Sequence, residues 1–219
     1  MPPLFTADEP LFPDPRLADP EGLVAVGGKL SVERLAVAYR SGIFPWTDRP
    51  VTWWSPNPRA IFELNPLVLS KSIRRLLKQN KFRISFDEAF GQVIRECAKV
   101  TKNREETWIS QQFVRAYSDF HLAGYAHSVE VWQEQELVGG IYGVAIGGFF
   151  AGESMFHRLP DASKFALAHL LTHLSQRGFL LFDTQVLNPF TKQMGAIEIP
   201  RDLYLQRLQQ AVGKSVRFQ

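Results

Sequence analysis

Apolar positions recur every three or four residues in some stretches of the chain and every second residue in others, and the change of period marks out its elements. "VERLAVAYR" has helical spacing between Ser31, a good N-cap, and Gly42, a good stop, so a helix is expected over Ser31 to Ser41. Ser70 is placed to cap a second helix, "SKSIRRLLKQN", ending about Asn80, and "KFRISF" then alternates like a strand. Asp87 is the expected cap of "EAFGQVIRECAKV", whose Phe90, Val93, Ile94 and Cys97 fall on one face. Ser110 opens a helix that runs to about Gly124 and carries Phe113, Tyr117 and Phe120. A strand-rich block follows: "HSVEVWQ", the polar turn "EQE", then "LVGGIYGVAIGGFFAGESMF". After Asp161, "ASKFALAHLLTHLSQRG" reads as an amphipathic helix with Leu167, Leu170, Leu171 and Leu174 at helical spacing. "FLLFDTQVL" is the next strand and "RDLYLQRLQQAV" the last helix.

Texture divides the chain. The opening segment is rich in proline and aromatics ("PLFPDPRLADPEG", "GIFPWTDRP", "TWWSPNPRAIF") and shows a single helical pattern. A small N-terminal α/β domain is therefore expected over 1–62, and a larger domain, mixed α and β with an antiparallel sheet feeding helix–strand units, over 63–219. Hydrophobic residues make up 45% and charged residues 21% of the 219, the balance of a globular chain, and the net charge is a mild +3. Cys97, the only cysteine, excludes an intramolecular disulfide. "MPPLFTADEPLFPDP" has neither a basic n-region nor an apolar core, and no stretch approaches the roughly 20 apolar residues of a membrane span. A cytoplasmic protein without membrane contact is expected.

Several polar patterns are candidates for chemistry. On the second helix Lys71, Arg74, Arg75 and Lys78 fall on one face opposite Ile73, Leu76 and Leu77, and Lys81 and Arg83 extend the positive patch. A solvated face explains it most simply, but four cations with no interleaved carboxylate also suit a phosphate footprint. His169 and His173 have the i, i+4 spacing of two metal ligands, yet Leu170 stands where the zinc-protease glutamate belongs, so no metal is expected. "GESMF" fails as a serine nucleophile elbow around Ser154, because Phe156 replaces the last glycine. The element order suits an acyl-CoA-dependent N-acetyltransferase, but the nearest pyrophosphate loop, "QAVGKS" from Gln210 to Ser215, opens no helix. Glu153 within "GGFFAGESMFHR", and Asp183 and Gln185 within "LLFDTQVLNP", carry polar groups into apolar runs. Burying them is costly unless they are bonded, so they form either a satisfied network or a site.

The segments "GLVAVGGKLSVERLAVAYRSGIFPW", "WWSPNPRAIF", "AFGQVI", "TWIS", "GYAHSVEVW", "LVGGIYGVAIG", "GESMF", "ASK", "DTQVLN" and "GAIEIPR" together resemble the leucyl/phenylalanyl-tRNA–protein transferases, in order and over most of the chain. One departure is the chain's end at Gln219, short of some members. The resemblance implies transfer of Leu or Phe, with Met left open, from aminoacyl-tRNA to the α-amine of proteins beginning with Arg or Lys, which marks them for N-degron proteolysis. It also implies a catalytic domain resembling the GNAT acyltransferase fold, used without coenzyme A or any cofactor, and a monomer. The competing readings are an acyl-CoA-dependent GNAT N-acetyltransferase and a non-catalytic tRNA-binding protein.

By the same resemblance Glu153, Asp183 and Gln185 surround the reacting ester and the incoming amine. Asp183 and Gln185, one residue apart on a strand, are expected to share a face, with the Asp183 carboxylate binding the Gln185 amide and leaving its carbonyl oxygen for the amine. Glu153 is expected to help hold the cationic acceptor. Ile141, Phe150, Met155, Leu167, Leu170 and Phe182 suit an apolar pocket for the aminoacyl side chain, and Trp46 and Trp108 match positions that contact the terminal adenosine. Core packing is the alternative for each of these.

Overall fold

The serine caps act as written. Strand β1 (Leu4–Phe5) and β2 (Leu23–Gly27) precede helix α1 (Val32–Arg40), where the Ser31 hydroxyl accepts the Arg34 N–H at 3.2 Å. Strands β3 (Phe44–Asp48), β4 (Val51–Trp54) and β5 (Arg59–Phe62) follow, then α2 (Lys71–Leu77), where Ser70 accepts from Ile73 N–H. The chain continues through β6 (Arg83–Phe86), α3 (Phe90–Cys97), α4 (Gln111–Leu122), β7 (Ala126–Gln133), β8 (Glu136–Ile146) and β9 (Phe149–His157). It closes with α5 (Ala162–Arg177), β10 (Leu181–Gln185), α6 (Pro189–Met194), β11 (Ile197–Ile199) and α7 (Arg201–Val212). The structure is a computed structural model that describes residues 4–5, 11–79, 81–100 and 107–219. Asn80, the expected end of the second helix, and most of the segment read as lacking a leader lie outside the described residues.

Two sheets result. The smaller has the order β1-β2-β4-β3 and the larger β11-β5-β10-β9-β8-β7-β6. The fold is mixed α/β, with a largely antiparallel main sheet flanked by helices; β9 and β10 are its one parallel pair among the described residues. Both faces of the main sheet are covered. Leu35, Val93, Ile94, Phe113, Phe120 and Leu208, from α1, α3, α4 and α7, pack in one core cluster. Ile73, Leu76, Leu167, Leu170, Leu171 and Leu174, from α2 and α5, pack in the other. Burial on both faces is why β8 reads as an unbroken apolar run rather than an alternating one.

The structure departs from the sequence expectations in three places. Arg59–Phe62, placed at the end of the small domain, pairs with β10 and β11 in the main sheet, so the small sheet ends at Trp54. The proline-rich segment carries the strands that the expected α/β domain requires: β3 is an edge strand and tolerates Pro45, which lacks a backbone donor. Asp87 does not cap α3, whose N-cap Ala89 has no side-chain bond; Asp87, at φ 57°, accepts Ser128 N–H at 2.7 Å and meets His127 Nδ1 at 2.7 Å. Finally, α6 and β11 were not anticipated, although the Asn188–Thr191 capping box behind Pro189 is a local start signal.

Candidate active site

Strands β9 and β10 pair only at Leu181↔Phe149, Phe182↔Phe150 and Asp183↔Ala151, while β9 continues to His157 along β8. Beyond the last pair lies a cavity of about 430 Å³. Phe62, Ile141, Met155, Leu167 and Phe182 give it apolar walls, with Phe44, Trp46 and Trp108 also on its lining. Glu153, Ser154, Thr184, Gln185 and Asn188 supply polar groups. Gly152 keeps room for the Phe182 ring, since a Cβ there would lie 2.8 Å from it.

Glu153 is buried and hydrogen-bonds to side chains from three elements. Tyr39 Oη of α1 lies 2.7 Å from Oε1, Tyr117 Oη of α4 lies 3.1 Å from Oε2, and Gln185 Nε2 donates to Oε1 at 2.9 Å. The two tyrosine hydroxyls also hydrogen-bond each other. Burial pushes the Glu153 carboxyl up to about 7, and the hydrogen bonds from Tyr39 and Tyr117 offset part of that rise. Burial likewise raises both tyrosines well above their ordinary value.

Asp183 is fully buried beside it and differently held. Arg59 forks onto it, Nε to Oδ1 at 2.9 Å and Nη2 to Oδ2 at 2.7 Å, and Tyr204 Oη donates to Oδ2 at 2.8 Å. Burial opposes the Arg59 charge, but Asp183, with smaller contributions from Tyr204 and Glu153, holds the guanidinium above its ordinary value. Arg59 Nη1 also donates to the Gly42 carbonyl at 3.1 Å. Gly42 turns there at φ 77°, where an added Cβ would lie 2.7 Å from Leu205.

The expected bond between the Asp183 carboxylate and the Gln185 side-chain amide is not formed. Asp183 Oδ1 accepts the Gln185 backbone N–H at 2.8 Å, and the side-chain amide goes to Glu153. The regular alternation behind that expectation ends here, because the pairing with β5 shifts between Asp183 and Gln185 and Gln185 stands at φ 65°. A left-handed non-glycine residue costs on the order of 1–3 kcal/mol and needs support, which the Asp183 bond to its N–H provides. Asp183 itself does not line the cavity.

Of the other expected pocket residues, Ile141, Met155, Leu167, Phe182, Trp46 and Trp108 line the cavity. Phe150 and Leu170 do not; they are buried behind it, Phe150 edge-on to Phe182 at 5.3 Å. Tyr39, Tyr117, Arg59 and Tyr204 were missed. The one sequence signal for Arg59 was a cation opening the apolar run "RAIF", an available partner for a buried carboxylate.

The basic helix has the expected faces: Lys71, Arg74, Arg75 and Lys78 are exposed, while Ile73 and Leu76 are buried. Lys81 sits over the Phe82 ring, and Arg83 is engaged, bonded to Glu88 at 2.7 Å and stacked over Trp132. His173 Nε2 meets the Phe218 carbonyl at 2.7 Å and His169 packs against Phe165. Among the described residues no group of three or more His, Cys, Asp or Glu side chains is placed to hold a metal ion, and no helix is long and apolar enough to cross a membrane.

The sequence profile of the leucyl/phenylalanyl-tRNA protein transferases matches residues 61–209, and that of their N-terminal domain matches residues 28–57. The chain is 51% identical over 219 residues to a leucyl/phenylalanyl-tRNA–protein transferase of Syntrophobacter fumaroxidans, covering 99% of this chain and 94% of the relative. It is 51% identical over 203 residues to one of Pectobacterium carotovorum, covering 91% and 86%. Among solved structures, a GCN5-related N-acetyltransferase-like protein of Streptococcus suis overlaps 65% of this chain and 57% of its own, at a TM-score of 0.37 and 13% identity.

Proposed function

Because the chain belongs to the leucyl/phenylalanyl-tRNA protein transferase family and is an aminoacyl-tRNA–protein transferase, we propose that its cavity moves Leu or Phe from tRNA onto the α-amine of proteins beginning with Arg or Lys. One observation carries this reading: an apolar cavity of about 430 Å³ has the Glu153–Gln185 hydrogen bond on its lining. The aminoacyl side chain sits against Ile141, Met155, Leu167 and Phe182, where the flexible Met155 adapts to either shape. Trp46 and Trp108 stack on the terminal adenosine, and the exposed cations of α2 meet tRNA phosphates.

The chemistry asks little of the protein. The aminoacyl ester is already activated, and an α-amino group with a pKa of about 8 is partly neutral near pH 7. Glu153 accepts the Gln185 NH2 group, which leaves the Gln185 carbonyl oxygen to accept a hydrogen bond from the attacking amine. The amide C–N bond forms, the ester C–O bond breaks, and the amine's proton ends on the ribose hydroxyl that leaves. Glutamine is too weak a base to hold that proton, so its contribution is orientation, which is worth up to roughly 7–11 kcal/mol of barrier. Asp183 acts at one remove, as a positioning residue for the Gln185 backbone.

Neither coenzyme A nor another cofactor enters this scheme; the protein works as a cytoplasmic monomer, and its products enter N-degron proteolysis. Incubation with radiolabelled Phe-tRNA and an Arg-starting peptide, with acetyl-CoA in parallel, tests the assignment. Label is expected on the peptide from tRNA alone. Acetylation of the peptide, or tRNA binding without transfer, would overturn it.

A further inference from the structure

Tyr39, Tyr117 and Glu153 close a ring of hydrogen bonds whose proton count fixes the state of the carboxyl group. The three edges are Tyr39 Oη to Glu153 Oε1 at 2.7 Å, Tyr117 Oη to Glu153 Oε2 at 3.1 Å, and the contact between the two hydroxyls. Each edge is a hydrogen bond only when one proton lies on it. A phenol supplies one proton and an ionised carboxylate supplies none.

With Glu153 ionised, two protons must serve three edges. If both tyrosines donate to the carboxylate, their oxygens face each other lone pair to lone pair. If one turns to the other, a carboxylate contact is left empty. The neutral acid brings the third proton, and the ring then runs in one sense: Glu153 Oε2 donates to Tyr117, Tyr117 to Tyr39, and Tyr39 to Glu153 Oε1. That assignment makes Oε1 the carbonyl oxygen, whose two lone pairs are filled by Tyr39 and by Gln185 Nε2 at 2.9 Å. Such a ring is cooperative in a low dielectric, and an unfilled edge is correspondingly costly.

We propose that Glu153 stands in the free protein as a neutral carboxylic acid, its proton completing the ring, so that Tyr39 and Tyr117 position the carbonyl oxygen that holds the Gln185 amide. The surroundings agree. Tyr142 of β8 meets the Tyr117 ring edge-on at 5.6 Å, and Asp183 of β10 adds a negative charge nearby. The neighbouring cation, Arg59 of β5, pulls the other way, but it is engaged by Asp183 and by Tyr204 of α7, and among the described residues none of the bonds to Glu153 comes from a cation. Burial pushes the carboxyl up to about 7, in the direction the ring requires. On the transferase reading, Glu153 is then a positioning group rather than a proton acceptor. That consequence rests on the proposed function; the ring does not.

Isotope-labelled glutamate in the full chain, read by infrared and carbon NMR titration without substrate, tests the ring independently of transfer. The free protein is expected to keep one glutamate carboxylic-acid signal that disappears with a midpoint of about 7, and Glu153→Gln is expected to lose it. Tyr39→Phe and Tyr117→Phe each open the ring and are expected to shift that signal. Phe120→Leu, which removes a ring packed on both tyrosines but no polar atom, is expected to leave it in place. The proposal is overturned if every glutamate of the unaltered protein titrates near the ordinary value of 4.5, a result that needs no variant to fold. It is equally overturned if the signal ignores both tyrosine substitutions.

Discussion

Asp183 on β10 and Glu153 on β9 are both withdrawn from water, but among the described residues only Asp183 meets a cation directly. Arg59 forks onto Asp183, and the pair, at 1% and 0% side-chain exposure, sets an opposite charge against each buried one, which offsets part of the desolvation. Glu153 receives hydroxyls and an amide instead, and burial is relieved by raising its pKa to about 7. Burial alone therefore does not set the character of a carboxyl group; the chemistry of its partners does. The charged pair fixes the backbone at the start of the cavity, while the hydroxyl-bound carboxyl reaches the cavity itself.

The sharpest way to break this contrast is to remove the cation. Arg59→Leu strands Asp183 without compensation, and urea unfolding is expected to show a loss of about 3–5 kcal/mol. A loss of less than about 1 kcal/mol would mean that the pair is not what keeps Asp183 buried.

Next is Glu153→Gln, which imitates the neutral acid. The folded value of about 7 lies above the ordinary 4.5, so the folded protein keeps a proton that the unfolded chain releases. Its stabilising contribution is full below the unfolded value and is lost as pH rises through about 7. Unfolding free energies measured from about pH 5 to pH 8 should fall in the unaltered protein and stay flatter in the variant, which gains up to about 3 kcal/mol at the upper end. Parallel pH profiles would contradict the raised value.

Transfer separates the two carboxyl groups in another way. Gln185→Ala is expected to slow single-turnover transfer by roughly 10- to 1000-fold, or about 1.4–4 kcal/mol. Adding Glu153→Ala should cost little more, because the two side chains act as one unit. Additive losses would show that Glu153 does not orient Gln185.

The smallest effect on stability is expected where charge is exposed. Replacing Arg74 and Arg75 by Ala should leave unfolding within about 0.5 kcal/mol yet weaken tRNA binding and flatten its salt dependence, as lost phosphate contacts require. An unchanged salt slope in filter binding would remove α2 from the tRNA footprint.

What the sequence determined by itself is what neighbouring residues determine. Ser31, Ser70 and Ser110 cap the helices they precede, the apolar face of α3 follows from local period, and the strands after Tyr125 follow from their apolar runs. Glu153 and Gln185 were legible because polar groups inside apolar runs require an explanation, and the resemblance in "GESMF" and "DTQVLN" supplied one. Their partners were not legible. Arg59 meets Asp183 across 124 positions, and Tyr39 meets Glu153 across 114. Nothing in local spacing encodes which distant side chain will satisfy a buried charge, because that depends on how helices and strands pack. Two neighbouring carboxyl groups could be found in the sequence, but only the tertiary structure decided that one receives a guanidinium and the other a ring of hydroxyls.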